Sequence, residues 1–153
     1  MKLSAARLIE LLRLEPLPIE GGHFRQTWRS DAGTAIYYLL SDDPDSFSAM
    51  HRLPTDEVYH FYLGDAVEML LLHPDGLVQN LTLGPDVLHG QHVQYVVPHG
   101  VWQGSRLQNG GRYALLGTTM APGFDPKGYE GGSRERLIAQ YPAAAAALER
   151  LTR

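Results

Sequence analysis

The sequence predicts an all-β fold, a barrel or a sandwich, with short helices at its two ends. Its central part consists of short β-type runs separated by turn signals about every eight to twelve residues, which is typical of such folds. No helix-like segment among these runs is long enough to be a parallel crossover, so we expect mainly antiparallel sheets. A length of 153 residues, with 44% hydrophobic and 20% charged residues, fits one globular domain. We therefore expect a single domain over residues 1–153, with its core at about 20–125.

The amino-terminal segment has the pattern of a short helix. Ser4 can act as its N-cap, because a serine side chain at that position accepts a hydrogen bond from the first turn. Apolar residues recur behind it at helical spacing: Leu8, Ile9, Leu11 and Leu12. Pro16 and Pro18 are expected to end the helix, since proline lacks the N–H group that a helix interior needs.

A helical extension is predicted at the carboxyl end, over residues 133–151. Ser133 can cap a first helix of one or two turns that reaches Tyr141. Pro142 can open a second helix that runs to Arg150, because proline suits the first helical turn. The alanine run inside it indicates helix propensity rather than a binding feature.

Nine strands are predicted between these helical ends. They are Phe24–Ser30, Thr34–Leu40, Phe47–Leu53, Glu57–Leu63, Ala66–His73, Leu77–Leu83, His92–Val97, Val101–Leu107 and Tyr113–Met120. The clearest turn signal is His-Pro-Asp-Gly at residues 73–76, where proline presets φ and glycine accepts a positive φ. Asn-Gly-Gly at residues 109–111 predicts a second hairpin turn.

Composition argues against several classes of function. The formal charge of −4, from 17 acidic residues against 13 lysines and arginines, disfavours nucleic-acid binding, which relies on clustered positive charge. The absence of cysteine excludes thiol nucleophiles and cysteine-ligated zinc. No apolar run approaches the roughly 20 residues of a membrane-spanning helix, and charged residues interrupt the amino-terminal segment where a signal peptide needs an apolar core. We therefore expect a cytoplasmic protein that binds neither nucleic acid nor membrane.

Two histidine-containing segments lie at predicted strands. The first is HRLPTDE at residues 51–57, followed by Gly64, and the second is PHGVWQ at residues 98–103. These segments resemble the two motifs of the cupin superfamily, with His51, Glu57 and Gly64 at the matching places of the first motif. The resemblance implies a double-stranded β-helix, the cupin jelly-roll barrel, with a ligand cavity that opens at one end.

Further segments are similar to one uncharacterised cupin subfamily in particular, a domain of unknown function. They are residues 20–25, 35–40, 56–62, 96–103 and 121–125. The resemblance runs from about Leu8 to Asp125. The superfamily includes dioxygenases, isomerases, sugar epimerases, storage proteins and regulatory binding domains, so it implies no single reaction.

The resemblance places His51 and Glu57 inside the barrel, with Gln103 approaching them from the second motif. Side chains alternate between the two faces of a strand, so Glu57 and Tyr59 share one face, whereas His60 lies on the other. We expect His51 and Glu57 to hydrogen-bond each other across a polar cavity floor.

Two positions depart from the cupin motifs and bear on metal binding. The resemblance implies that a metal-binding cupin supplies three histidines and a carboxylate, but Leu53 stands at one histidine place and cannot ligate. Gln103 stands at another and offers only a neutral amide oxygen. We therefore expect no metal or other cofactor; the alternative is a weakly bound divalent metal on His51, Glu57 and Gln103.

Two functions remain open. In the first, the barrel binds a small polar metabolite, nucleotide- or sugar-like, without converting it. In the second, the protein is an isomerase- or epimerase-type enzyme whose catalytic residues are His51 and Glu57, because a carboxylate beside an imidazole makes a general base near neutral pH. Tyr37 or Tyr59 can supply a phenolic acid, and Arg25 can pair with an anionic ligand. The predicted ligand-binding residues are Arg25, Tyr37, His51, Glu57, Tyr59 and Gln103.

We also expect a homodimer with two-fold symmetry. The first β-type run, residues 23–30, offers Phe24 and Trp28, and its edge invites pairing with a second copy. The alternative is a monomer whose amino-terminal helix covers this edge.

Overall fold

Two antiparallel sheets enclose the barrel interior. The computed structural model describes residues 2–153. Within this part of the chain the strands are β1 (Glu15–Pro16), β2 (His23–Ser30), β3 (Gly33–Ser41), β4 (Phe47–Arg52), β5 (Glu57–Gly64), β6 (Val67–Leu72), β7 (Val78–Leu83), β8 (Gln94–Val97), β9 (Trp102–Leu107), β10 (Tyr113–Met120) and β11 (Glu130–Gly131). The first sheet has the order β1-β2-β3-β10-β5-β8, and the second has the order β11-β4-β9-β6-β7. All nine predicted strands are confirmed to within one or two residues at either end, and the all-β jelly-roll class is confirmed with them.

The two shortest strands are not predicted by the sequence, because two residues cannot show an alternating pattern. β1 pairs with β2 just before the turn that leads into β2. β11 pairs with β4 and places Gly131 opposite His51. Since Pro16 belongs to β1, the prediction that Pro16 ends the first helix is wrong. That helix, α1 (Ala5–Leu12), is ended by its C-cap residue Arg13, which adopts a left-handed φ of 55°.

Helices cover the outer faces of both sheets. α1 packs Leu8 against Leu39 and Leu115 on the outside of the first sheet. At the carboxyl end, α2 (Arg134–Gln140) is followed by a 3₁₀ turn at Pro142–Ala144 and by α3 (Ala145–Arg150). The predicted caps are confirmed, because the side chains of Ser4 and Ser133 accept hydrogen bonds from the first turns of α1 and α2. Among residues 2–153, no helix has the length and apolar character needed to cross a membrane.

Alternation along β6 separates two cores. Met69 and Leu71 point into the barrel and pack among the residues of its interior. Leu70 and Leu72 point outward and pack against the carboxyl-terminal helices, where Leu148 is fully buried. Burying one such side chain contributes about 1.5–3 kcal/mol, so both faces of the second sheet stabilise the fold. This double burial explains why the sequence of β6 is almost continuously apolar.

The strand expected to form a dimer interface has one face inside the barrel. Phe24 lines the internal cavity. Trp28 lies on the same strand and is 46% exposed. β1 pairs with only the beginning of β2, at Phe24 and His23. The two-fold dimer therefore stays a prediction, with Trp28 as its remaining aromatic contact.

Candidate functional site

A cavity of about 80 Å³, the inner cavity, lies inside the barrel between the two sheets. Polar side chains of its wall include those of Glu20, Gln26, Tyr38, His51, Glu57 and Tyr59. Apolar side chains complete the wall: Leu17, Phe24, Ile36, Leu53, Met120 and Phe124. Of the residues predicted from the sequence, the structure therefore brings His51, Glu57 and Tyr59 to one cavity.

A second pocket of about 200 Å³, the outer pocket, lies beside the inner cavity. The two share Leu17, Glu20 and Phe124 as wall residues. The rest of the outer pocket consists of Pro18, Ile19, Pro126 and Tyr129. Together they form a small chamber that contains the buried polar side chains and a larger one that is mostly apolar.

A larger groove of about 340 Å³ lies elsewhere, on the outside of the second sheet beside α3. Its charged residues include Glu68, Arg106 and Arg150, which are exposed or only half-buried. The inner cavity instead gathers buried ionisable groups, which are costly to maintain without a role. The inner cavity is therefore the candidate site, although it is the smaller space.

Glu57 begins β5 and points into the barrel, where it is 7% exposed. Its Oε1 accepts a hydrogen bond of 3.1 Å from the side-chain amide of Gln103, and the Oε1 of Gln103 accepts one of 2.6 Å from the hydroxyl of Tyr59. Burial raises the pKa of Glu57, and the nearby imidazole of His51 opposes part of this rise. Gln103 is not among the wall residues of the inner cavity, and its side-chain amide donates to the Glu57 carboxylate.

His51 lies on β4 and is 2% exposed. Its Nδ1 lies 2.8 Å from the carbonyl oxygen of Ala49, and because a carbonyl only accepts, Nδ1 carries a proton. Its Nε2 lies 3.7 Å from Oε1 of Glu20. The expectation that His51 and Glu57 hydrogen-bond each other is wrong, because Nδ1 binds the backbone and Nε2 faces a different acid.

Glu20 is the acidic partner that sequence reasoning missed. It lies in the turn between β1 and β2, and its Oε2 accepts a hydrogen bond of 3.0 Å from the hydroxyl of Ser48. The turn contains Ile19 at a φ of 70° and Gly21 at a φ of 103°. A β-branched residue with positive φ is a strained position, and such strain is often found at functional sites. Glycines beside Glu20 indicate a turn in the sequence, but not that the carboxylate points into the barrel.

Tyr129 is a second missed residue. Its ring stacks on that of His51, with ring centres 5.1 Å apart and planes 16° apart. Burial raises the pKa of its hydroxyl, and that hydroxyl has no hydrogen-bond partner among residues 2–153. The two-residue strand β11 places Tyr129 here, and no sequence pattern marks so short a strand.

Arg25 and Tyr37 do not reach the inner cavity, contrary to the expectation. In β3 the side chain of Tyr38 points inward, so that of Tyr37 points outward. Arg25 pairs opposite Tyr37 in the ladder between β2 and β3, lies with its guanidinium 5.4 Å from the Tyr37 ring centre, and donates to the carbonyl of Leu12. Arg25 therefore ties α1 to the sheet. His60 also lies outside, as alternation predicts, with Nε2 3.1 Å from the hydroxyl of Thr119.

The donor set does not fit the metal centre of a metal-binding cupin. Within residues 2–153, no three histidine, aspartate or glutamate side chains converge at metal-binding distance. Leu53 lines the inner cavity where the motif resemblance implies a histidine, and the amide of Gln103 is committed to both Tyr59 and Glu57. A hydrogen-bonded chain therefore stands where metal ligands would be needed.

Comparisons with known proteins agree with the fold. The model of the family described as Cupin superfamily (DUF985) matches residues 6–131. An uncharacterized protein of Saccharomyces cerevisiae, YML079W, is 29% identical in an alignment of 131 residues, with coverage of 69% of this chain and 64% of the yeast protein. The chain thus spans slightly less than two thirds of that relative's length.

Solved structures show the same architecture. The protein SO0799 from Shewanella oneidensis is 32% identical, with a TM-score of 0.92 and 99% of each chain covered. A hypothetical protein from Leishmania major is 28% identical, with a TM-score of 0.89 and coverage of 98% of this chain and 99% of that one. A variant of oxalate decarboxylase from Bacillus subtilis shares the fold alone, at 12% identity, a TM-score of 0.59 and coverage of 90% of this chain and 37% of that one. The chain belongs to the cupin superfamily, in the family described as DUF985.

Proposed function

We propose that this protein binds a small polar metabolite in its barrel, with the polar part in the inner cavity and the remainder in the outer pocket. The observation that carries this proposal is the convergence of Glu20, His51 and Glu57 on one internal cavity. A mostly apolar pocket with a few convergent polar groups is the usual form of a small-molecule site.

The desolvation cost of burying Glu57 and His51 supports a functional role for them. An ionisable group loses hydration when it is buried, and burial is the largest cause of the raised pKa of Glu57. Apolar side chains of similar volume would fill the same space without this cost. Retaining Glu57 together with His51 in the interior is therefore best explained by a ligand that uses them.

A compound screen by thermal unfolding tests the proposal. We expect compounds that raise the unfolding temperature of the wild type to lose this effect in His51→Asn. His60→Asn is the matched control, because His60 lies on the outer face of the same barrel and should leave the effect intact. Hits that stabilise all three proteins equally, or a screen without hits, would contradict a binding site at His51.

A second candidate function is proton transfer, and it rests on the geometry of His51. The Nδ1 proton is held by the Ala49 carbonyl, so Nε2 faces the cavity with Glu20 as its neighbour. Burial raises the pKa of Glu57, which brings its carboxyl group closer to the range in which it can give and take a proton. Such a pair fits isomerisation next to a carbonyl, in which a base removes a proton and an acid returns one.

Deuterium exchange distinguishes conversion from binding alone. A screening hit with a carbonyl-adjacent C–H bond would be incubated with the protein in heavy water and analysed by mass spectrometry. Enzymatic exchange should fall by about 100-fold or more in His51→Asn, the scale typical for loss of a general base. Binding without any deuterium exchange would support the binding function and contradict the enzymatic one.

A further inference from the structure

The two tyrosine hydroxyls beside the carboxylates are already used within the protein. The hydroxyl of Tyr38 donates to the carbonyl of Gly21 at 2.6 Å. The hydroxyl of Tyr59 donates to Oε1 of Gln103, also at 2.6 Å. A hydroxyl has one hydrogen to donate, so neither tyrosine can donate to a ligand in this arrangement.

The ring and amide donors are also used. The Nδ1 hydrogen of His51 points to the carbonyl of Ala49, and the amide of Gln103 donates to Glu57. What faces the inner cavity is therefore the Nε2 side of the His51 ring and the remaining lone pairs of Glu57 and Glu20. A carboxylate accepts about four hydrogen bonds, and each of these two receives few from the protein.

The two carboxylates of the wall carry charges of the same sign. Glu20 and Glu57 line the inner cavity, and no lysine or arginine is among the described residues of its wall. Arg25, the predicted partner for an anion, lies outside, where it binds the carbonyl of Leu12. Gln26, Thr34 and Thr118 are further donors on the wall, but they are neutral and cannot balance an anionic ligand.

We propose that the site takes a small amine, amidine or guanidine, whose cationic head binds between Glu20 and Glu57. This assignment rests on the proposed binding function and names its ligand class. The inner cavity of about 80 Å³ has room for roughly three water-sized groups, given about 30 Å³ for each, which suits such a head. The body of the ligand occupies the outer pocket, whose wall includes Leu17, Phe124 and Tyr129. Phosphate and carboxylate groups are excluded from the inner cavity by the same charges.

Three probes that share a phenyl ring and differ in their polar group test the assignment: benzylamine, benzyl alcohol and benzoate. Isothermal titration at pH 7.5 should show benzylamine binding at least tenfold more tightly than the other two, since only its head donates charge-assisted hydrogen bonds. Glu20→Gln and Glu57→Gln should each weaken benzylamine binding about tenfold, because each removes one charged acceptor. Glu68→Gln is the control, as Glu68 is exposed outside the barrel and should leave binding unchanged.

The outcomes separate the amine assignment from the binding function on which it rests. Equal or tighter binding of benzoate, no binding of any probe, or unchanged benzylamine binding in both glutamine variants would overturn the amine assignment. If the thermal screen still gives ligands that depend on His51, the binding function stands with a different ligand class. If the thermal screen also gives no ligand that depends on His51, the proposed binding function itself is contradicted.

Discussion

Glu57 and Glu20 bring carboxylates to the same cavity from two different kinds of structure. Glu57 begins a strand that pairs on both sides, with Met120 of β10 opposite it and Val97 of β8 on its other edge. Glu20 lies in a turn that has no strand partner, next to Ile19 with its left-handed backbone. The inward direction of Glu57 is therefore set by the sheet, whereas that of Glu20 has to be set by contacts made across the fold.

The contacts that hold Glu20 come from distant parts of the chain. Its carbonyl accepts a hydrogen bond of 2.8 Å from the N–H of Ala49, and its side chain accepts one from Ser48. The guanidinium of Arg153 donates to the carbonyls of Ile19 and Glu20, each at 3.3 Å. The position of Glu57 therefore depends on the barrel sheet itself. The position of Glu20 depends on a turn that can be destabilised without disrupting the sheet.

The largest expected effect comes from a side chain added within the Glu20 turn. In Gly21→Ala the new Cβ would collide with the Phe47 carbonyl and with the Arg153 guanidinium, at a φ of 103° that disfavours alanine. We expect a loss of about 3 kcal/mol in the free energy of unfolding, combining backbone strain with overpacking. Urea denaturation measures it.

Gly76→Ala is the matched control for this change. Its φ of 95° is similar, but a Cβ there meets nothing within 4 Å. It should therefore lose only the backbone part, about 1–2 kcal/mol. Equal losses in the two variants would show that packing around the Glu20 turn is loose, contrary to its contacts with Phe47 and Arg153.

The next effect concerns Arg153, whose guanidinium also lies 4.1 Å from the ring centre of Phe47. Arg153→Ala should lower the free energy of unfolding by about 1 kcal/mol, through lost hydrogen bonds and a lost cation–π contact. Hydrogen exchange should become faster at Gly21 and Gly22, while the amides of β5 keep their protection. Exchange that rises equally in β5 would mean that the two halves of the site are not independent.

Glu57→Gln is expected to stabilise the protein by about 1 kcal/mol near neutral pH, since it removes a buried carboxylate. Proton linkage gives the direction in which stability changes with pH. Burial raises the pKa of Glu57 above its ordinary 4.5, so the folded state holds this proton more tightly than the unfolded state. The wild type therefore loses stability as pH rises from about 4.5 through the folded pKa, and the variant lacks this loss.

Urea midpoints of both proteins across this pH range measure the difference, with Glu68→Gln as an exposed control. The advantage of Glu57→Gln should grow with pH and then stay constant. An advantage that shrinks as pH rises would contradict the raised pKa.

The smallest effect is expected for Tyr129→Phe. The hydroxyl of Tyr129 is buried without a partner among the described residues, so its removal should leave the free energy of unfolding unchanged or raise it by up to about 0.5 kcal/mol. The stacking on His51 remains, because a phenylalanine ring has the same shape. A clear loss of stability in thermal unfolding would reveal a hydrogen bond that this arrangement does not contain.

The parts of this protein that follow a repeating backbone pattern could be predicted from the sequence. Strand alternation and the motif resemblance placed His51 and Glu57 at the cavity and His60 outside it. Alternation did not decide between Tyr37 and Tyr38, because neighbouring tyrosines leave either one free to face inward. Contacts between distant segments could not be predicted, since loops have no periodicity that fixes the direction of a side chain; Glu20 and Tyr129 both reach His51 in this way.

A crystal structure of the protein with bound benzylamine tests the amine-binding site most directly. We predict density for the ammonium group within hydrogen-bond distance of both Glu20 and Glu57, with the ring in the outer pocket beside Phe124. Benzylamine bound only in the surface groove near Glu68, with ordered water alone in the inner cavity, would contradict this site.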